Sequence, residues 1–143
     1  MVVNRAWVEC EIRSLFAGHI GQELAEGKGI WMHQGVYETL KQVARSGGLI
    51  CYGEVAPLAG VDLNSGRGRR EMGCLLAEVC QNEVQQGRPM LGSVVVRKDT
   101  HVPGEGYFRG AQRLGKFQGD SYEDKRAFWL QELQRVHAYW SSH

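Results

Sequence analysis

Three arginines, Arg67, Arg69 and Arg70, stand at the start of a segment whose apolar spacing predicts a long helix over residues 68–86. Cations at a helix N-terminus oppose the helix dipole, at a cost on the order of a few tenths of a kcal/mol each. A phosphate would relieve this repulsion and would also accept hydrogen bonds from the N–H groups of the first turn. The placement therefore favours contact with nucleic acid, with ordinary solvated arginines as the alternative.

The densest polar cluster of the chain follows a β-branched run that predicts a buried strand. Its cations, Arg97 and Lys98, are candidates for phosphate contacts. Its remaining polar residues, Asp99, His101 and Glu105, could in principle hold a divalent metal ion and hydrolyse a phosphodiester. Their spacing fits no nuclease motif, so hydrolysis by the 97–107 loop is an alternative and not the main prediction. We expect neither a metal nor a cofactor.

Periodicity places these groups on mainly helical elements. Helices are predicted over residues 5–26, 33–46, 53–59, 68–86 and 121–140, extended segments over residues 49–52 and 94–96, and a loop over residues 99–106. The pattern predicts a fold that is mainly α with a small β component. Since no linker divides the chain, we expect residues 1–143 to form a single domain.

Composition narrows the classes of protein that this chain can belong to. It has 143 residues with 43% hydrophobic, enough for a real core, and no apolar run approaches the ~20 residues needed to span a bilayer. Without a signal-peptide pattern, we expect a cytoplasmic protein with no membrane partner. None of the four cysteines stands in a Cys-x-x-Cys pair, so we do not expect a zinc knuckle. We expect all four cysteines to be reduced thiols.

The net charge is only +1, which is low for a protein that binds phosphates without specificity. Residues 60–119 are more basic, because nine Lys and Arg against six Asp and Glu leave +3 there. A basic face is therefore possible. The near-neutral total also favours an alternative, a protein-interaction module on a helix-turn-helix scaffold, with the C-terminal Tyr139-Trp140 as part of an interface with a partner or a homodimer.

Two motifs carry a resemblance to a known family. Tyr52-Gly-Glu-Val-Ala56 precedes the predicted turn, and Arg70-Glu-Met-Gly73 opens the long helix. Over about residues 34–134 the chain resembles the DNA-binding domain of the O6-alkylguanine-DNA alkyltransferases. The resemblance implies a winged helix-turn-helix that binds double-stranded DNA. It also implies that Arg70 enters the duplex in place of a flipped nucleotide, while Tyr52 presses on the phosphate that must rotate.

The chain also departs from this family in one major respect. Alignment on the paired valines places Gly92 where the family has its alkyl-accepting cysteine and Ser93 where it has the activating histidine. Alkyl transfer needs a thiolate and a group that lowers its pKa, so this activity is not expected. The chain is in this respect similar to the alkyltransferase-like proteins, which lack the cysteine, bind alkylated DNA and act in DNA repair.

The expected function is therefore that of a non-enzymatic DNA-binding protein that senses modified or flipped bases. The residues expected to contact DNA are Tyr52, Arg67, Arg69, Arg70, Arg97 and Lys98. By the resemblance, the glycine-rich loop and the residues at the missing cysteine form the wall of a base pocket. These residues are Gly92, Ser93, Val102, Pro103, Gly104, Glu105, Gly106 and Tyr107.

Overall fold

The computed structural model describes residues 33–143, and the predicted N-terminal helix over residues 5–26 lies outside them. Within residues 33–143 the chain forms five α-helices, two short strands and one 3-10 turn. In chain order these are α1 (Gln34–Arg45), β1 (Ile50–Cys51), α2 (Tyr52–Ala59), α3 (Gly66–Gln85), the 3-10 turn (Leu91–Val94), β2 (Val95–Val96), α4 (Glu105–Arg113) and α5 (Tyr122–Ser141). The prediction of a mainly α fold with a small β component is confirmed.

The two longest helices begin at serines that cap them. The Ser65 hydroxyl accepts a hydrogen bond of 2.9 Å from the backbone N–H of Gly68, and Ser121 accepts one of 3.1 Å from Asp124. Each bond satisfies one N–H group that the first turn of a helix leaves without an intrahelical partner. These caps explain why α3 and α5 begin within two residues of their predicted starts.

A short helix, a turn and a long helix follow one another in the middle of the chain, as predicted. Helix α2 ends at Gly60, whose φ of 67° lies in the left-handed region that favours glycine. Asp62 then shapes the turn, because its carboxylate accepts a hydrogen bond of 2.9 Å from the N–H of Asn64. The turn leads directly into the arginine-rich start of α3.

The two strands pair in parallel, with Ile50 opposite Val95 and Cys51 opposite Val96. A parallel pair needs a crossover connection, and here α2 and α3 provide it. A wing is a β-hairpin, and the strand pairing within residues 33–143 is limited to this parallel pair. The predicted short helix, turn and long helix are therefore present, whereas the sheet within residues 33–143 does not by itself supply a wing.

The 3-10 turn before β2 lies at the centre of the fold, where it packs against α1, α3 and α5. All four of its residues are buried. Trp140 also belongs to this core, with only 6% of its surface exposed. Trp140 therefore packs within its own chain, whereas its neighbour Tyr139 is only partly buried.

Three predictions about local structure need correction. The loop predicted over residues 99–106 ends at Gly104, because Glu105 begins α4. Val94, predicted in the strand, belongs to the 3-10 turn. Cys51 and Cys80 are free thiols, but Cys74 is disulfide-bonded, so the four cysteines are not all reduced. No helix in the described part of the chain is long and apolar enough to cross a membrane.

Candidate nucleic-acid interface

A cavity of about 1180 Å³ opens between α3, α4 and the loop that follows β2. This volume exceeds the roughly 300–1,000 Å³ that is common for ligand pockets. Its floor is apolar and mostly buried, formed by Met72, Leu76, Ala77, Cys80 and Met90. Its rim carries four exposed cations, namely Arg69, Arg70, Arg97 and Lys98. A basic rim around an apolar floor suits a ligand that is both anionic and aromatic.

Two of the rim cations are free to meet an anion. Arg70 and Lys98 form no hydrogen bond or ion pair with any residue in the part of the chain that the structure describes. Arg69 is held in place, because its guanidinium donates a hydrogen bond of 3.1 Å to the backbone carbonyl of Leu63 in the turn. The first turn of α3 therefore presents one anchored and one free cation to the cavity.

The other predicted phosphate contacts are already paired with carboxylates. Arg97 donates two hydrogen bonds to Asp99, of 3.1 and 2.9 Å, and Asp99 also lines the cavity. This contact holds the pKa of the Asp99 carboxyl below its ordinary value. Arg67 lies outside the cavity lining and pairs with Glu71 at 3.2 Å. Pairing with Asp99 and Glu71 thus weakens two of the five predicted α3 and loop cations as free phosphate ligands.

Tyr52 is the first residue of α2, and its ring borders the cavity. Its hydroxyl oxygen accepts a hydrogen bond of 3.0 Å from the backbone N–H of Gly104 on the opposite wall. Burial raises the pKa of this hydroxyl above its ordinary value, so it stays protonated at neutral pH. The motif residue Tyr52 is therefore brought to the same cavity as Arg70.

Tyr107 lies in the first turn of α4 and forms another part of the wall. Its hydroxyl is 2.7 Å from the hydroxyl of Ser93, which is fully buried behind it and does not line the cavity. Burial raises the pKa of Tyr107 well above its ordinary value. The carbonyl of Ser93 accepts a hydrogen bond of 2.8 Å from the Trp129 ring N–H, which anchors the 3-10 turn on α5.

Gly92 lines the cavity at the position where the alkyltransferase family has its cysteine. Close packing against Cys80 on α3 explains why a glycine fits at this position. A Cβ at Gly92 would lie only 2.6 Å from the sulfur of Cys80. The thiol of Cys80 therefore occupies the space that a side chain at position 92 would need. Burial raises the pKa of the Cys80 thiol to about 12, so the sulfur remains protonated at neutral pH.

The remaining residues predicted for the pocket wall divide into two groups. Gly104 and Gly106 line the cavity, as does Tyr107. Val102, Pro103 and Glu105 do not, since the first two pack inward and Glu105 forms an exposed ion pair of 3.0 Å with Lys125. For Glu105 and Gly106 the difference follows from α4, because a helix directs consecutive residues to different sides.

The residues proposed for metal-dependent hydrolysis do not converge. Asp99 is paired with Arg97, and Glu105 with Lys125. Within residues 33–143, no group of three or more His, Cys, Asp or Glu side chains is placed to hold a metal ion. The arrangement of Asp99, His101 and Glu105 therefore gives no support to the hydrolytic alternative.

Several lining residues were not among the predicted site residues. They are Leu63, Gly66, Met72, Gly73, Leu76, Ala77, Cys80, Met90, Asp99 and Gly110. A sequence signal existed for part of this set, because Met72, Leu76 and Cys80 recur every four residues on one face of α3. The stripe was used only to predict the helix, and in the fold these three residues line the cavity.

No known protein family, curated protein or solved structure matches this chain. The two sequence motifs and the geometry of the cavity are therefore the features of the molecule that point to a function.

Proposed function

We propose that this protein is a non-enzymatic DNA-binding protein that docks on double-stranded DNA with a winged helix-turn-helix-like unit and receives a flipped or modified base in its cavity. The observation that carries the proposal is a pair of cations, Arg70 and Lys98, that lie on the rim of one apolar cavity and have no ion-pair partner among residues 33–143. Helix α3 would meet the duplex, and the cations would neutralise phosphates on either side of the cavity.

The residues that line the cavity support a nucleotide base as its occupant. An extrahelical nucleotide brings a charged phosphate and an apolar aromatic ring, which correspond to the basic rim and the apolar floor of Met72, Leu76 and Met90. Extruding a base costs a few kcal/mol, and a side chain that fills the gap in the duplex offsets part of that cost. Arg70 is exposed at the start of α3 and is the candidate for this role.

The chemistry of the cavity supports binding without alkyl transfer. Cys80 is the thiol that lines it, and its raised pKa, about 12, leaves almost no thiolate at neutral pH. The nucleophile in alkyl transfer is the thiolate, so a protonated and buried sulfur is a poor acceptor. Cys80 acts in this proposal as part of the apolar floor.

The proposal is tested by fluorescence anisotropy with a short labelled duplex, plain or carrying one O6-methylguanine, across a salt series. The wild-type protein should bind with an affinity that falls as salt rises, because binding releases counterions. Arg70→Ala/Lys98→Ala should reduce the affinity by roughly tenfold or more at low salt and make the salt slope shallower by about 2.

Arg126→Ala is the matched control, because Arg126 is exposed on α5 and does not line the cavity. It removes a cation without touching the proposed interface and should leave the affinity within about twofold of wild type. Tighter binding of the modified duplex would support a base-sensing role. Salt-independent binding, or equal losses in Arg126→Ala and the double variant, would contradict the proposal.

Asp99→Asn is expected to strengthen DNA binding. The substitution removes a negative charge from the cavity rim and releases Arg97 from its ion pair. Both effects favour a phosphate, so we expect the affinity for the plain duplex to rise by roughly threefold to tenfold at low salt. Glu123→Gln, at an exposed acidic residue on α5, should change the affinity much less. Equal effects of the two substitutions would show that only net charge matters.

A further inference from the structure

The hydroxyl groups of Tyr107 and Ser93 form a hydrogen-bonded chain that leads from the cavity wall into the core. The protons in this chain can be donated in only one direction. The Ser93 hydroxyl donates its only proton to the carbonyl oxygen of Met90 at 2.7 Å, since a carbonyl cannot donate. The contact of 2.7 Å between Ser93 and Tyr107 must then use the Tyr107 proton. Tyr107 is therefore committed as a donor towards the core, and its oxygen keeps acceptor capacity for a further partner.

The Tyr52 hydroxyl has the opposite hydrogen-bonding role. Its oxygen accepts from the Gly104 N–H, and its own proton has no acceptor among residues 33–143. A tyrosine hydroxyl has one proton to donate, so Tyr52 can offer it to a ligand. Two tyrosines that line one cavity thus provide one hydrogen-bond donor and one acceptor.

The ring of Tyr107 is held firmly enough to present its oxygen in a defined position. Phe108 meets it edge to face with 5.0 Å between the ring centroids, and Phe128 lies 6.1 Å away on α5. Such aromatic contacts restrict the orientation of the ring. The buried bond to Ser93 restricts it further.

We propose that Tyr107 is a specificity-determining residue whose hydroxyl oxygen accepts a hydrogen bond from an exocyclic amino group on the base in the cavity, while Tyr52 donates to a ring acceptor of the same base. The inference rests on the proposed function. The cavity should then select bases that carry an amino group, because a base without one leaves the Tyr107 oxygen without its hydrogen-bond partner. An unsatisfied buried acceptor carries a free-energy cost.

The test uses four labelled duplexes that each carry one unpaired purine at the same position. Guanine and hypoxanthine differ only by the exocyclic amino group, and 2-aminopurine and unsubstituted purine repeat the comparison without a ring carbonyl. By anisotropy, the wild-type protein should bind the amino-bearing member of each pair roughly fivefold to tenfold more tightly.

Tyr107→Phe keeps the ring contacts and removes only the hydroxyl. It should abolish the preference in both pairs, because hypoxanthine and purine no longer leave a buried acceptor without a partner and the amino group no longer finds one. Ser93→Ala should also reduce the preference, because Tyr107 then regains a proton that it can donate to the ligand. Comparing the ratios between variants cancels the differing costs of unstacking each purine. Tyr122→Phe, at an exposed tyrosine on α5, is the control and should keep the preference.

The outcomes separate this inference from the proposed function. Salt-dependent binding of all four duplexes with equal affinity would overturn the inference and leave the proposed function standing. A preference that persists in Tyr107→Phe would also overturn it, because the amino group would then be read elsewhere. Absence of binding to any duplex by the wild-type protein would contradict both. Thermal unfolding of each variant shows whether a loss of preference reflects a loss of folded protein.

Discussion

Gly68→Ala is expected to lower the free energy of unfolding by about 3 kcal/mol. A Cβ at Gly68 would overlap the carbonyl oxygen of Asp62 and would lie 2.9 Å from the hydroxyl of Ser65. The first contact is with backbone, so no change of rotamer can relieve it. The turn between α2 and α3 would have to move, and the Ser65 cap of α3 would be lost with it.

The matched control for Gly68→Ala is Gly73→Ala in the same helix. A Cβ at Gly73 would meet nothing within 4 Å. Alanine is the better helix former, so this substitution should raise the stability by roughly 0.5–1 kcal/mol. Urea or thermal unfolding measures both. If the two variants have equal stability, close packing at Gly68 does not hold the turn.

The two glycine variants also separate stability from function. Gly73 lines the cavity beside the proposed DNA contacts, whereas Gly68 is buried under the turn. Gly73→Ala should therefore stabilise the protein yet weaken duplex binding, because the added methyl group projects towards the ligand. Gly68→Ala should weaken binding only to the extent that it displaces the start of α3.

Arg88→Met is expected to lower the free energy of unfolding by about 3–5 kcal/mol. The Glu83 carboxylate on α3 is fully buried and accepts hydrogen bonds from the Arg88 guanidinium. It also accepts one of 2.6 Å from the Tyr37 hydroxyl on α1. Removal of Arg88 leaves a buried negative charge without its counter-ion, which is among the more costly single changes in a protein interior.

Two comparisons test this explanation of the Arg88→Met effect. Arg67→Met breaks the exposed pair with Glu71, whose side chains are 86% and 43% exposed, and should change stability by less than about 1 kcal/mol. Glu83→Leu/Arg88→Met removes both charges and should be less destabilised than Arg88→Met alone. Additive losses in the double variant would show that the ion pair is not the source of the effect.

The sequence by itself determined those features that depend on residues close together in the chain. Apolar periodicity predicted α1, α3 and α5, and the turn residues before Gly66 predicted the break between α2 and α3. Two of the motif residues, Tyr52 and Arg70, do line one cavity. Helix periods, caps and turns are local, so a single sequence carries the signal for them.

Helix α4 and the central 3-10 turn were decided by tertiary contacts. The α4 segment contains Gly106 and Gly110, which disfavour a helix, but burial of Phe108 and Ala111 on one face stabilises it. The 3-10 turn has no period of its own and is held by three helices that lie far from it in the sequence.

The chemical character of the site was decided in the same way. The sequence predicted the same role for Arg97 and Lys98, but the conformation of the loop pairs Arg97 with its near neighbour Asp99, while Lys98 has no ion-pair partner among residues 33–143. Only packing places the Cys80 sulfur where a side chain at Gly92 would lie. Distances between residues that are remote in the chain depend on the whole fold, because burial and partner choice are set by contacts that no local pattern contains.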